Sequence, residues 1–160
     1  MAKYYCVLFD PDNTLLDFDA AESKALAETL INYGIEPDAQ TVQTYREINA
    51  ELWQQLEKGQ IRREKLMAER FTRFLKAVDA AGNGPEMNRY YLERLSTHPD
   101  LMASNVLDVM HELSEVATLA IVTNGFDRVQ SRRVVESGLA DYMEGVFVSE
   151  KLDTEKPNRK

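Results

Sequence analysis

The chain has 160 residues, of which 44% are apolar and 29% are charged, and its formal charge is −8. This composition is typical of a folded globular protein and argues against disorder. The negative charge repels nucleic acid and anionic membranes at long range, so neither is an expected partner. The single cysteine, Cys6, cannot form an internal disulfide, and no apolar run is long enough to span a membrane. The sequence therefore predicts a cytoplasmic protein with Cys6 buried in its core.

The first predicted strand is the short apolar run at residues 4–9, which stops at the turn-forming residues 10–14. An apolar run without polar interruptions is typical of a strand that is covered on both faces in a parallel sheet. Two further runs, residues 119–122 and 146–148, also stop at small polar residues. The sequence therefore predicts three short strands, each followed by polar side chains.

Residues 19–95 have a helical pattern with little strand signal. Asp19 and Asp38 are predicted to cap the first two helices, and Gly34 and Gly59 to end them. A turn cluster separates a third helix from a fourth. Apolar residues at three- and four-residue spacing give each helix a stripe to bury, so the four helices are predicted to form a bundle.

Alternation of helix and strand resumes after the bundle, with helices predicted near residues 106–113 and 127–137. Such alternation implies parallel strands with right-handed crossovers. The predicted fold class is therefore α/β, with a Rossmann-like parallel sheet core that is interrupted after its first strand by a helical insertion. The core domain is predicted to comprise residues 1–17 and 98–160, and the inserted domain residues 18–97.

The predicted strand ends carry residue types suited to phosphoryl transfer: Asp10 with Asp12, Thr123 with Asn124, and Lys156 after a short loop. Ligands of open parallel sheets bind beyond the carboxyl ends of the strands. One carboxylate can attack phosphorus and form an acyl phosphate, and a second can give and take the proton. A hydroxyl, backbone N–H groups and an ammonium would stabilise the charge on the phosphoryl group. Two carboxylates beside a phosphate also favour Mg²⁺ as the cofactor.

Each of these segments has an ordinary structural alternative. Residues 10–14 suit a loop because Asp and Asn are favoured in turns, residues 123–125 have a common turn composition, and Lys156 lies in a charged stretch typical of solvated surface. A calcium loop is excluded because Leu15 stands where glycine is needed and Ala21 where glutamate is needed. The occurrence of all three segments at strand ends favours a catalytic site.

Residues 9–14, FDPDNT, resemble the first motif of the haloacid dehalogenase superfamily. Residues 123–125, TNG, match the second motif, and residues 156–157, KP, match the third. The resemblance covers essentially the whole chain. It implies that the helical insertion is the four-helix C1 cap of that superfamily.

By this resemblance Asp10 is the nucleophile and a Mg²⁺ ligand, and Asp12 is the general acid and base. Asp12 would also bind the metal through its backbone carbonyl. Thr123, Asn124 and Lys156 would hold the phosphoryl group of a small phosphorylated metabolite or nucleotide. The dehalogenases of the superfamily lack a carboxylate at the position of Asp12, so the match favours phosphoryl transfer.

Residues 15–19, LLDFD, and residues 123–126, TNGF, are similar to bacterial pyrimidine 5′-nucleotidases of the house-cleaning type. This resemblance implies a phosphatase acting on a nucleoside 5′-monophosphate. Phe18 is expected near the entrance between core and cap, where its ring could stack on a base. Trp53 and Phe71 are expected in the core of the bundle.

The fourth motif of the superfamily, an acidic cluster that supplies further Mg²⁺ carboxylates, is not found in the sequence. We therefore expect a chain truncated at its C-terminus, with an uncovered edge at residues 4–9, weak metal binding and little turnover in isolation. Residues 103–104 are Ala-Ser where relatives usually have Pro-Gly, and Asp153 stands where glycine is common.

A phosphomutase and a non-catalytic descendant that binds a phosphorylated ligand are the alternative functions. The sequence leaves the physiological substrate and a homodimer open.

Overall fold

The computed structural model describes residues 5–152 and Lys156. The elements are β1 (Cys6–Phe9), α1 (Phe18–Asn32), α2 (Ala39–Glu57), α3 (Arg63–Ala77), α4 (Gly84–Ser96), α5 (Val106–Ser114), β2 (Thr118–Thr123), α6 (Asp127–Glu136), a 3₁₀ helix (Leu139–Tyr142), β3 (Gly145–Val148) and α7 (Ser149–Leu152). Among these helices, none is both long and apolar enough to cross a membrane.

The chain divides into two compact units. One comprises Met1–Glu22 and Ser96–Lys160, and the other comprises Ser23–Leu95. The core and cap domains predicted from the sequence, with boundaries at residues 17 and 97, stay a prediction.

The first unit holds a parallel sheet in the order β1-β2-β3. The register pairs Phe9 with Ile121 and Thr123 with Val148. Helices α5 and α6 lie between successive strands in the chain, as the alternating pattern predicted. The predicted α/β class is confirmed, and the parallel strands bring their carboxyl ends to one edge of the sheet.

One face of the sheet carries the core of the first unit. The buried residues of this core are Leu15, Leu16, Val106, Met110, Leu119, Ile121, Val134 and Leu139. They come from β2, α5, α6, the 3₁₀ helix and the loop after β1. Leu15 and Leu16 are 4% and 0% exposed, so the loop that carries the predicted catalytic carboxylates is anchored in the core.

The other face of β1 is exposed, contrary to the prediction of a strand covered on both faces. Leu8 is 63% exposed, and Cys6 is an exposed free thiol. The predicted burial of Cys6 is therefore wrong. An apolar run signals a strand, but it does not encode what covers each face. The expected uncovered edge is confirmed, because β1 pairs only with β2 among the strands of residues 5–152.

The second unit contains the helical bundle that the apolar spacing predicted. Asp38 caps α2 by accepting the Thr41 N–H at 2.7 Å, and Asn83 caps the first turn of α4 with a 3.1 Å hydrogen bond. Gly34 and Gly59 follow α1 and α2 with φ angles of 70° and 66°. Only glycine adopts this left-handed conformation without steric cost, which explains why the first two helices end there.

An aromatic cluster lies in the core of the bundle. Its members are Tyr45, Phe71, Phe74 and Tyr91, and Tyr45 lies 5.1 Å from Phe71 and 6.0 Å from Phe74 between ring centroids. Phe71 is fully buried, as predicted. Arg70 is also buried, and its guanidinium donates to Asn88 and lies 4.9 Å from the Tyr91 ring centroid.

The cap of α2 predicts a pH-dependent stability. The hydrogen bond from the Thr41 backbone N–H lowers the pKa of Asp38 below its usual 3.8. A lowered folded-state pKa means that this stabilisation is complete above the unfolded pKa and is lost as the pH falls through the folded value. The destabilisation caused by Asp38→Ala, measured by urea unfolding, should therefore shrink once the pH falls below 3.8.

Asn83→Ala is the matched control, since it removes an uncharged cap from α4. Its destabilisation should not follow the titration of a carboxyl group. Equal pH dependence of the two variants would contradict the electrostatic origin of the Asp38 effect.

The exposed face of β1 predicts self-association. Exposed apolar edge strands are aggregation sites, and charged residues placed on them oppose pairing. Leu8→Lys should lower the light scattering of concentrated protein and leave the fold intact. Val7→Lys, on the face of the same strand that packs against the core, should instead unfold the protein. Unchanged scattering of the Leu8 variant would contradict the prediction.

Candidate active site

A tight turn follows β1 and carries the two predicted catalytic carboxylates. The carbonyl oxygen of Pro11 accepts the N–H groups of Leu15 and Leu16, both at 2.9 Å. Asn13 has a positive φ of 55°, a conformation that asparagine tolerates better than most residues. The turn is thus closed by its own backbone and held by two buried leucines.

The same turn begins α1 at Phe18, two residues earlier than the predicted cap Asp19 implies. Asp17 accepts the N–H of Ala20 at 2.9 Å, and the Asn13 side-chain oxygen accepts the N–H of Phe18 at 3.1 Å. The predicted cap Asp19 is wrong, because its carboxylate accepts from the Asn13 amide instead. Two aspartates stand two residues apart here, and cap preference alone does not distinguish them.

Lys156 joins Asp10 to β2. Its Nζ lies 3.1 Å from Oδ1 of Asp10 and donates to the carbonyl oxygen of Val122 at 2.8 Å. The side chains of Lys156 and Asp10 are 39% and 59% exposed. A solvent-exposed ion pair contributes little stability. A ligand that pairs with Lys156 in place of Asp10 therefore loses little free energy by breaking this contact.

Asn124 fixes the backbone of Lys156. Its side-chain amide donates to the Lys156 carbonyl oxygen at 3.0 Å, and its side-chain oxygen accepts the Lys156 N–H at 2.8 Å. The second motif therefore positions the third. The prediction that Asn124 contacts a phosphate stays a prediction.

Thr123 ends β2 and is 2% exposed. Its Oγ1 accepts the N–H of Gly125 at 3.0 Å and a side-chain N–H of Gln130 at 3.1 Å. A hydroxyl oxygen has two acceptor positions and one proton to donate. Because both acceptor positions are used, the proton remains as the hydrogen-bonding function of this side chain.

Asp12 is held by two residues of α6 that the sequence analysis did not identify. Its Oδ1 lies 2.6 Å from Nη1 of Arg133, and its Oδ2 accepts from Nε2 of Gln130 at 2.5 Å. A signal was present in the sequence, because Gln130 and Arg133 share a helix face with the buried Val129 and Val134. Polar residues on an otherwise apolar face of a helix indicate a buried polar contact.

Phe18, the predicted contact for a base, lies at the start of α1. Its half-buried ring packs against the guanidinium of Arg133, with 5.8 Å between the Arg133 Cζ and the ring centroid. This distance is typical of a cation–π contact. Stacking of Phe18 on a base stays a prediction.

The predicted metal ligands are oxygen donors at the turn after β1. Mg²⁺ binds through one or two carboxylates and keeps several waters. The exposed carboxylate of Asp10 and the backbone carbonyl of Asp12 are oxygen donors of this kind. Within residues 5–152 and 156, no group of three His, Cys, Asp or Glu side chains could hold a metal ion. The type of donor therefore fits Mg²⁺, and the described residues supply only a few of the ligands that the ion would need.

The model of the haloacid dehalogenase-like hydrolase family matches residues 7–160. The chain therefore belongs to the haloacid dehalogenase-like hydrolases. The resemblance identified from the motifs is confirmed.

Three curated relatives are similar along almost the whole chain. The HAD-hydrolase YfnB of Bacillus subtilis is 32% identical over 98% of this chain and 66% of its own length. Pyrimidine 5′-nucleotidase PynA of Streptococcus pneumoniae is 34% identical over 97% of this chain and 65% of its own. Pyrimidine 5′-nucleotidase YjjG of Escherichia coli is 26% identical over 99% and 68%. The chain thus spans about two thirds of the length of these relatives.

The crystal structure of YfnB bound to magnesium has a similar fold. It superposes with a TM-score of 0.92 at 32% identity, over 98% of this chain and 70% of that chain. This match confirms the predicted haloacid dehalogenase fold.

The contact between Asn124 and Lys156 predicts a local change in hydrogen exchange. Asn124→Ala removes the acceptor of the Lys156 N–H, and a hydrogen bond of about 1 kcal/mol corresponds to roughly fivefold faster exchange. Asn124→Asp is the matched control because it keeps an acceptor oxygen. Exchange at Lys156, followed by NMR, should rise in the alanine variant alone. Equal exchange in both variants would contradict the contact.

Proposed function

We propose that this chain forms part of a magnesium-dependent phosphatase that hydrolyses a nucleoside 5′-monophosphate through a phosphorylated Asp10. The observation that carries the proposal is the contact between Asp10 and Lys156 beside β2, 3.1 Å from oxygen to nitrogen. A carboxylate nucleophile and a cation at the same strand ends are what phosphoryl transfer needs. Two curated relatives are pyrimidine 5′-nucleotidases, which supports the choice of substrate.

In the first step an oxygen of Asp10 attacks phosphorus, and the bond between phosphorus and the alcohol oxygen of the substrate breaks. Asp12, protonated, gives its proton to that oxygen, so the alcohol leaves neutral. The ammonium of Lys156 and the hydroxyl proton of Thr123 stabilise the negative charge on the transferring group.

In the second step a water molecule gives a proton to Asp12 and attacks phosphorus. The bond between phosphorus and Asp10 breaks, inorganic phosphate leaves, and both aspartates return to their starting states. One carboxyl group thus serves as acid and then as base, which requires only that it stay beside the reacting oxygens.

The carboxylate of Asp10 and the backbone carbonyl of Asp12 are the groups proposed to hold Mg²⁺. When bound, the ion supplies positive charge to the phosphoryl oxygens. Residues 18–97 are proposed as a cap domain, with Phe18 as a contact for the base. The proposed ligand is a small phosphorylated molecule, and a cytoplasmic location stays a prediction.

The proposal predicts metal-dependent phosphate release that needs Asp10. Nucleoside monophosphates and sugar phosphates are supplied with Mg²⁺ or with a chelator, and inorganic phosphate is measured. Asp10→Asn should lower release by roughly a thousandfold or more, because the reaction loses its nucleophile. Asp12→Asn should lower it by about 10²-fold or more, the usual contribution of a general acid.

The control variant is Asp108→Asn, which changes an exposed carboxylate on α5 and should keep full activity. Mass spectrometry of acid-quenched protein should find one phosphoryl group on the unmodified chain and none on the Asp10 variant. Phosphate release that persists in Asp10→Asn would contradict the proposed nucleophile. Release that is indifferent to the chelator would contradict the metal requirement.

A further inference from the structure

We propose that Gln130 and Arg133 are positioning residues that hold the carboxylate of Asp12 in the orientation needed for proton transfer. The inference rests on the proposed function, since it assigns a role to Asp12 in phosphate ester hydrolysis. Neither residue belongs to a strand end, and both come from one face of α6.

Arg133 is the more deeply buried of the partners. Its side chain is 0% exposed, and Nη1 contacts Asp12 Oδ1 at 2.6 Å. Nε donates to the carbonyl oxygen of His98 at 3.1 Å, and the guanidinium faces the ring of Phe18. Two edges of the guanidinium thus contact Asp12 and His98, and one of its faces lies against Phe18. A buried cation is costly unless it is paired, so Arg133 and Asp12 constrain one another.

Nη2 of Arg133 is buried and has no hydrogen-bond partner among the described residues. A guanidinium kept in the core with one nitrogen unsatisfied is a poor means of stabilising a helix. Its burial is better explained by the contact that it makes with Asp12 than by stability.

Gln130 links Asp12 to Thr123. Its Nε2 donates to Oδ2 of Asp12 at 2.5 Å and to Oγ1 of Thr123 at 3.1 Å, and its Oε1 accepts from Arg133 at 3.2 Å. The amide therefore uses both of its N–H groups on residues of the proposed catalytic site. It sets the distance between the proton-transfer group and the hydroxyl proposed to hold the phosphoryl group.

Gly125 leaves the space that Gln130 occupies. A Cβ at residue 125 would lie 2.7 Å from both Cγ and Nε2 of Gln130. Any larger residue there would displace the amide from its contacts. The glycine of the second motif is thus explained by the side chain that packs on it.

With both oxygens of Asp12 held, the carboxyl group has one orientation relative to the turn that carries Asp10. Fixed orientation of a catalytic group is a large part of its effect, and small displacements are costly. Loss of Gln130 should therefore impair the step that needs the proton of Asp12, and leave substrate binding largely intact.

The test compares two substrates that differ in the need for that proton. A nucleoside monophosphate releases a poor alkoxide leaving group, whereas p-nitrophenyl phosphate releases a phenolate that leaves readily without a proton. Phosphorylation of Asp10 is measured in single turnover for the unmodified chain and for Gln130→Met, which keeps the side-chain length and removes the donor. Arg132→Gln is the control, because Arg132 lies on the same helix in a surface ion pair with Glu136.

We expect Gln130→Met to slow phosphorylation by the nucleoside monophosphate by about 10- to 100-fold, a part of the full contribution of a general acid. Phosphorylation by p-nitrophenyl phosphate should change by less than about threefold, and the concentration of each substrate that gives half the maximal single-turnover rate should stay within the same limit. An equal loss with both substrates would mean a merely structural role and would overturn the proposal, as would no loss with either.

Gly125→Ala provides a second variant that acts on the same contact. In the unmodified chain it should reproduce the selective loss with the nucleoside monophosphate, because the new Cβ displaces the amide of Gln130. In a Gln130→Ala background it should add little, since the displaced side chain is gone. Additive losses would overturn the role assigned to Gln130.

If the unmodified chain is phosphorylated by neither substrate, the proposed function fails for this chain, and the contact itself is tested by stability. Urea midpoints are measured for Gln130→Met, Asp12→Ala and the double variant. A fixed contact predicts that the double variant loses less than the sum of the single losses. Additive losses would show that Gln130 does not hold Asp12, and would overturn the proposal independently of activity.

Discussion

The parallel register between β1 and β2 is the constraint on which the rest of the site depends. It pairs Phe9 with Ile121, so the next residue along each chain, Asp10 after β1 and Val122 within β2, lies beside the other. Lys156 contacts both. A slip of one residue would move Phe9 to the exposed face and Leu8 into the core. The same register that buries the apolar side chains of the first unit therefore brings the proposed nucleophile and cation together.

Side chains of helix α6 hold the residues at the strand ends in place. Asp10 and Asp12 follow β1, and Thr123 ends β2. From α6, Gln130 contacts Asp12 and Thr123, and Arg133 contacts Asp12. The contacts of Asp12 bridge more than a hundred residues of sequence, so the turn after β1 and the helix after β2 are fixed by one another. This mutual dependence accounts for a charged side chain in the core of the first unit.

The strands, most helix bounds and the residues at the strand ends were predictable, because short apolar runs, cap residues and glycines are local signals. Asp38 and Gly34 are examples, since each acts within its own turn. The place of Arg133 on the apolar face of α6 signalled a buried polar contact, but its partners were not predictable, because Asp12 and His98 are distant in sequence. The exposure of Leu8 and Cys6 was not predicted for a related reason. Whether a face of a strand is buried depends on which other elements pack against it, and these are distant in sequence.

The most direct test of the proposed site is a crystal structure of the chain with Mg²⁺ and beryllofluoride, a mimic of an aspartyl phosphate. We expect the beryllium on a carboxylate oxygen of Asp10, with its fluorides contacting Nζ of Lys156 and the hydroxyl of Thr123. The carboxylate of Asp12 should remain in contact with Gln130. Beryllofluoride bound to another residue, or bound to Asp10 without contact to Lys156 and Thr123, would contradict a single phosphoryl-transfer site at these strand ends.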